Sequence, residues 1–237
     1  MCVLCGCATV YNPATGRQEF ILINDETEIA IGRNVAREIA KEKHLWQDRR
    51  AQGRVQSVGE RISQVSDRNN LQYEFYILDD KELNAMSLPG GIVYINRGLL
   101  NLVTDDELAF ILGHEVGHVA ARHAVKKVQS EMGFQLLLTL AFSFTGEKNT
   151  KAAGDIAQAS DMVYNLIALG YSRQDEYASD QLGLKYSSLA GFDPKAARTA
   201  LEKIKKAESS AGKAPIYLRS HPYIDDRIKA LEKENNL

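Results

Sequence analysis

The stretch Thr104-Asp-Asp-Glu107-Leu-Ala-Phe-Ile-Leu-Gly-His114-Glu115-Val116-Gly117-His118 decides how this chain is read. Thr104 and Glu107 stand three apart ahead of an apolar run, the spacing of a capping box in which hydroxyl and carboxylate satisfy free N–H groups of a first helical turn. The helix they open is expected to run to about Gln129. Inside it, His114 and His118 are four apart and share one face, their Cβ atoms about 6 Å from each other. Two imidazoles so placed can converge on one metal ion at about 2.0–2.1 Å. Glu115 lies about 100° around the helix, near enough to reach a water at that ion and displaced enough not to ligate it. The motif uses two of only 5 histidines in 237 residues. Gly117 costs such a helix about 1 kcal/mol relative to alanine, which points to close packing beside the site.

This HExxH pattern gives two ligands and a base, whereas a catalytic zinc needs a third protein ligand and an open position. A histidine ten residues after His114 would complete the pattern HExxHxxGxxH. Ala124 stands there, and Ala121 stands at the glycine position. His123 follows His114 by nine residues, about 180° around a continuing helix, so it is expected to face away as a core or surface histidine. A third candidate is Glu176-Tyr-Ala-Ser-Asp180, on a later helix with Ser172 and Asp175 as its start signal. Glu176 and Asp180 share a face. Glu176 can ligate zinc while Asp180 accepts a hydrogen bond from the outer nitrogen of a ligand histidine. Spacing alone leaves that reading open beside two carboxylates on a solvated face.

The rest of the chain reads as a helix-rich body around a small sheet. Residues 1–23 look irregular, with turn signals at Asn12-Pro13 and Thr15-Gly16. Apolar residues at helical spacing predict helices from Asp25 to about Leu45 and from about Arg49 to Val65. Tyr73–Leu78, Leu83–Leu88 and Ile92–Ile95 read as strands, with Pro89-Gly90-Gly91 as a turn. Further helices are expected over 131–145, 151–169 and 173–189, from Asp193-Pro194, and from near Pro222. The expected fold is α+β, with a tail over residues 1–23 and one domain over 24–237 built around a sheet of about three strands.

Composition narrows the function classes. Basic residues number 29 against 31 acidic, a net charge of -2, which gives no footprint for nucleic acid. Cys2, Cys5 and Cys7 are the only cysteines, so no disulfide ties the body together, and a lone CxxC is weak evidence of a metal site. The longest apolar stretch, Phe134–Phe144, has eleven residues against the roughly 20 that cross a bilayer. A core helix or a lid over a site is expected there.

The ordered pair His114-Glu-Val-Gly-His118 and Glu176-Tyr-Ala-Ser-Asp180 resembles the HExxH…ExxxD signature of the gluzincin metalloproteases. More narrowly, it is similar to the CAAX prenyl protease-like family, which includes a soluble bacterial lipoprotein branch. Asn84–Leu100, Ala120–His123 and Ser220–Arg227 resemble other segments of that family, and the likeness covers about residues 7–231. It implies a zincin-type domain, Zn2+ held by His114, His118 and Glu176, and Asp180 as the outer partner of a ligand. It also implies that His221 points into the site and steadies the developing oxyanion, with Arg227 as a further contact. Read from the residues alone, His221 is equally a capping histidine before Pro222.

The implied activity is hydrolysis of peptide bonds with Glu115 as general base. A protein or peptide substrate would lie extended along a sheet edge near Asn84 and Ala85, a mode that favours unfolded or loop segments. Val3-Leu4-Cys5-Gly6-Cys7 resembles the end of a bacterial lipoprotein signal with Cys7 as the acylated residue. That implies a membrane contact through an N-terminal lipid anchor, a periplasm-facing location in the cell envelope, and a part in envelope protein quality control. Two rivals stand beside this reading. A proteolytically silent metal-stabilised binding module would have no use for Glu115, and a zymogen-like enzyme would cover its cleft with residues 131–169.

Overall fold

The computed structural model describes residues 9–131, 163–165, 167–210 and 216–235. The elements are β1 (Thr9–Asn12), β2 (Arg17–Phe20), α1 (Asp25–Glu42), α2 (Arg49–Gln64), β3 (Glu74–Leu78), β4 (Ala85–Ser87), β5 (Ile92–Asn96), α3 (Arg97–Leu102) and α4 (Asp105–Ala120). A helical segment follows at 123–131. Then come α5 (Arg173–Leu189), α6 (Ala196–Ser210), α7 (Ile216–Ser220) and α8 (Ile224–Asn235). The α+β expectation holds: helices surround a three-stranded sheet of order β3-β5-β4. Central β5 runs parallel to β3 and antiparallel to β4, with Ala85 opposite Ile95. All five β5 residues are buried, as expected of a strand covered on both faces. Strand β4 is an edge among the described residues.

Residues 9–20 are not irregular. They form an antiparallel hairpin, Thr9 opposite Phe20 and Asn12 opposite Arg17. Asn12 closes its turn by accepting from the Ala14 N–H at 3.0 Å, and Gly16 supplies the positive φ of 65°. The turn signals were legible, but the flanking strands are short and exposed and lack alternation. Cys2, Cys5, Cys7, the Phe134–Phe144 stretch and most of the helices expected over 131–145 and 151–169 lie outside the described residues.

Helix α4 carries the decisive stretch through the centre of the molecule. Its capping box forms as expected: Thr104 accepts from the Glu107 N–H, and Glu107 accepts from the Thr104 N–H at 2.8 Å. Every residue from Glu107 to Ala120 is buried, which fits a helix apolar around most of its circumference. α5 packs directly on it through glycines. A Cβ at Gly183 would lie 2.8 Å from the His114 nitrogen, and one at Gly117 would lie 3.0 Å from Leu182 Cβ. The close approach that Gly117 signalled is therefore backbone against backbone, and it brings the α5 carboxylates within reach of the α4 histidines.

The expected continuation of α4 to Gln129 is interrupted. Arg122 adopts φ 54°, a left-handed conformation that ends a helix, and residues 123–131 restart in a new direction. A buried ion pair clamps this hook. Arg68 donates to both Glu28 oxygens at 2.9 and 3.1 Å and to the Val119 carbonyl at 3.1 Å, while Arg122 pairs with Asp25.

Candidate metal centre

His114 and His118 project from α4, Glu176 from the first turn of α5, and His221 from the turn between α7 and α8. All four are buried, and their ligand atoms lie within 4.8 Å of one another. His114 Nε2 is 3.0 Å from His118 Nε2 and 3.2 Å from His221 Nδ1. Glu176 Oε1 is 3.4 Å from His118 Nε2 and 3.3 Å from His221 Nδ1. Donors about 2.0–2.1 Å from a tetrahedral zinc stand roughly 3.3–3.4 Å apart, so these four outline such a polyhedron. His114 Nε2 faces two imidazole nitrogens at once, and its one N–H or lone pair cannot serve both. Glu115 Oε1, buried beside them, lacks a hydrogen bond as well. A divalent cation resolves each of these, and the imidazole and carboxylate donor set is one that zinc takes.

Electrostatics keep the ligands in their binding states. Burial, with His114 and His221 adding to it, holds the His118 pKa down to about 3, so its ring is neutral. Burial pushes the Glu176 carboxyl up, but the charges of His221 and Arg227 outweigh it and hold it well below the usual carboxylate range. Metal binding needs both of these states.

Glu115 lies beside the donors and not among them. Ser87 on β4 donates to its Oε2 at 2.9 Å, and His221 Nε2 lies 3.3 Å from its Oε1. His221 Nε2 also lies 3.2 Å from the Ala85 carbonyl, so Ala85 borders the site. Asn84 lies next to it and accepts from Ser220 at 3.2 Å. Behind the ligands, Asp180 Oδ1 is 2.9 Å from His114 Nδ1. Arg227, wholly buried, donates to both Asp180 oxygens at 2.7 and 2.6 Å and lies 2.9 Å from Glu176 Oε2. Its guanidinium thus faces two carboxylates, Asp180 and Glu176.

His123 does not face away. The break at Arg122 turns it back, and its Nδ1 lies 2.9 Å from His118 Nδ1. The helical-wheel expectation failed because it assumed an unbroken helix. Ser87 was missed as well; its only signal was its place in the Asn84–Leu100 stretch. So was Tyr171, whose ring stacks on His118 at 4.1 Å between centroids.

The buried cluster of three histidines and a glutamate, carried on packed helices beside a sheet edge, is compatible with a zincin-type metal site. The chain belongs to Peptidase family M48, whose model matches residues 49–235; members of this family are zinc metallopeptidases. The chain is similar to the mitochondrial metalloendopeptidase OMA1 of Schizosaccharomyces pombe, 34% identical over 182 residues, which cover 76% of this chain and 51% of that protein. It is 30% identical over 172 residues to the OMA1 of Arabidopsis thaliana, covering 72% of this chain and 33% of the relative. It is 23% identical over 235 residues to the beta-barrel assembly-enhancing protease of Yersinia pestis, covering 94% and 47%. The chain thus spans about half or less of the length of these relatives. Among its described residues no helix is long and apolar enough to cross a membrane.

Proposed function

We propose that this chain is a zinc-dependent endopeptidase in which His114, His118 and Glu176 hold the metal and Glu115 is the general base. The observation that carries the reading is the convergence of those three side chains into one buried donor set, with Glu115 beside it and outside it. Bound zinc supplies Lewis-acid polarisation of the scissile carbonyl and acidifies the attacking water. Glu115 takes the water's proton and later delivers it to the leaving amine. The Ser87 hydroxyl, bonded to Oε2, fixes the carboxylate's orientation and leaves Oε1 for this exchange. Strand β4, at the edge of the sheet among the described residues, offers its outer side to an extended substrate, with Asn84 and Ala85 at its start.

His221 has two successive places in this reading. Its Nδ1 lies within 4.8 Å of the other donor atoms, so with the metal bound it would stand at the fourth position, which a catalytic site keeps open. Turned away from that position, the ring would be placed to donate to the developing oxyanion. The turn that carries it, between two separate helices, is where such a movement is absorbed.

The relatives named for beta-barrel assembly support a role in protein quality control in the bacterial envelope, and Cys7 in its lipoprotein-like context supports a periplasm-facing lipid anchor. The substrates would be unfolded or envelope proteins. The experiment is hydrolysis of casein by the purified protein with and without chelator, alongside Glu115→Gln. Chelator is expected to abolish cleavage and zinc to restore it. The variant is expected to keep zinc and lose at least about 100-fold in kcat, within the range of general acid–base catalysis. Activity within tenfold of wild type rejects Glu115 as the base. Acyl chains on Cys7 in the mass spectrum of the full-length product test the location.

A further inference from the structure

Resting on the metal-centre reading, we infer that His123 is a positioning residue for His118, completing a chain that runs from Asp175 through His123 to the metal-facing nitrogen. His118 Nε2 faces the other donors. If that nitrogen binds metal, the ring's proton sits on Nδ1. The Nδ1 of His123 lies 2.9 Å away, so His123 must accept there and carry its own proton on Nε2. That nitrogen lies 3.4 Å from Asp175 Oδ1, which favours this tautomer. With His118 Nε2 given to the metal, the proton directions are consistent at every link.

The local structure is shaped to make this contact. His123 is buried, 4% exposed, and it reaches His118 only because Arg122 takes φ 54°. That strained residue is tied down by Asp25, and Arg68, paired with Glu28, anchors the Val119 carbonyl three residues before it. Ser179 Oγ also lies 3.3 Å from His123 Nδ1, while Asp175 is fixed by the α5 capping box through Ser172. The two ligand histidines are therefore backed differently. His114 has a carboxylate, Asp180, braced by Arg227. His118 has a second imidazole that passes the influence of a half-exposed carboxylate, 36% exposed, inward.

The test measures zinc affinity by competition with a chromophoric chelator, together with the visible spectrum of the cobalt(II)-substituted protein. His123→Phe removes the acceptor and keeps a ring; zinc binding is expected to weaken about 10–100-fold, the usual effect of losing such a partner, and the cobalt bands to shift. His123→Asn puts an amide oxygen where Nδ1 stood and is expected to restore both readouts, which a purely packing role would not do. Asp175→Asn, at a half-exposed position, tests the outer link without disturbing the core and is expected to weaken zinc binding at least about threefold. Zinc binding by His123→Phe within twofold of wild type overturns the inference. So does an Asn variant no better than Phe at equal apo-protein Tm. If the Phe variant does not fold, unchanged zinc affinity in Asp175→Asn overturns it. Wild-type protein that binds no zinc would overturn the metal-centre reading and this inference together, whereas the other outcomes leave that reading standing.

Discussion

His114, His118 and Glu176 stand on α4 and α5, two long helices whose backbones touch through Gly113, Gly117 and Gly183. His221 stands between α7, five residues long, and α8, on a turn where Tyr223 takes φ 68°. The first three are fixed by backbone contact, buried carboxylates and helix geometry. The fourth is held by its N–H to the Tyr217 carbonyl at 2.7 Å, ring contact with Tyr217, and Arg227 behind. Three of the candidate donors sit where moving one means moving a helix. The fourth, His221, sits on a turn where a few dihedrals suffice to move it.

The contrast can be broken from the rigid side first. Glu176→Ala removes a ligand and also leaves the buried Arg227 short of a carboxylate. Zinc affinity is expected to fall by more than the roughly 10–100-fold typical of losing an outer partner. Unchanged zinc content by metal analysis would point to another ligand. Next in size is Gly183→Val. Its Cβ would land 2.8 Å from the His114 nitrogen and 3.1 Å from its Cα, so the helices must separate. Overpacking of this kind costs about 1–3 kcal/mol. Tm and zinc affinity are expected to fall together, and a variant losing Tm alone would separate the glycine contact from the site.

The movable side is probed by His221→Phe. Three ligands remain, so zinc affinity is expected to change less than in Glu176→Ala. Loss of a transition-state contact lowers kcat more than it raises KM. A rise in kcat would instead mark His221 as a pure block of the fourth position. A rise in KM at constant kcat would mark it as a substrate contact only.

These differences track what the sequence made legible. The Thr104–Glu107 box, the His114–His118 spacing and the texture of β3 and β5 are local patterns, and they placed α4, the sheet and two of the candidate donors. Glu176 and Asp180 were legible as a pair on one face. Spacing could not tell ligands from solvated carboxylates, because that depends on which helix packs against α4, a long-range fact encoded by Gly183 as much as by Glu176. His123 was misplaced because one residue, Arg122, leaves the helix against its ordinary preference. Its guanidinium pairs with Asp25, and Arg68, itself paired with Glu28, donates to the Val119 carbonyl, all from segments far away in the chain. Ser87 carries no signal beyond its place in the Asn84–Leu100 stretch; the sheet register puts its hydroxyl on Glu115.

The smallest expected effect lies at the far end of α4. Thr104→Ala removes one half of the capping box, a change worth about 1 kcal/mol. For a domain of this size that lowers Tm by about 2–4 °C. The helix start is not left loose, because Glu107 also accepts from Thr199 at 2.9 Å and Lys203 at 2.7 Å. The ligands begin two turns further on, inside a segment buried on all sides, so fraying at Asp105 does not reach them. Zinc affinity is therefore expected to match wild type while Tm drops. A parallel loss of zinc would show that α4 transmits strain from its cap to His114, and that the rigidity of the α4–α5 pair depends on the helix start as well as on its glycines.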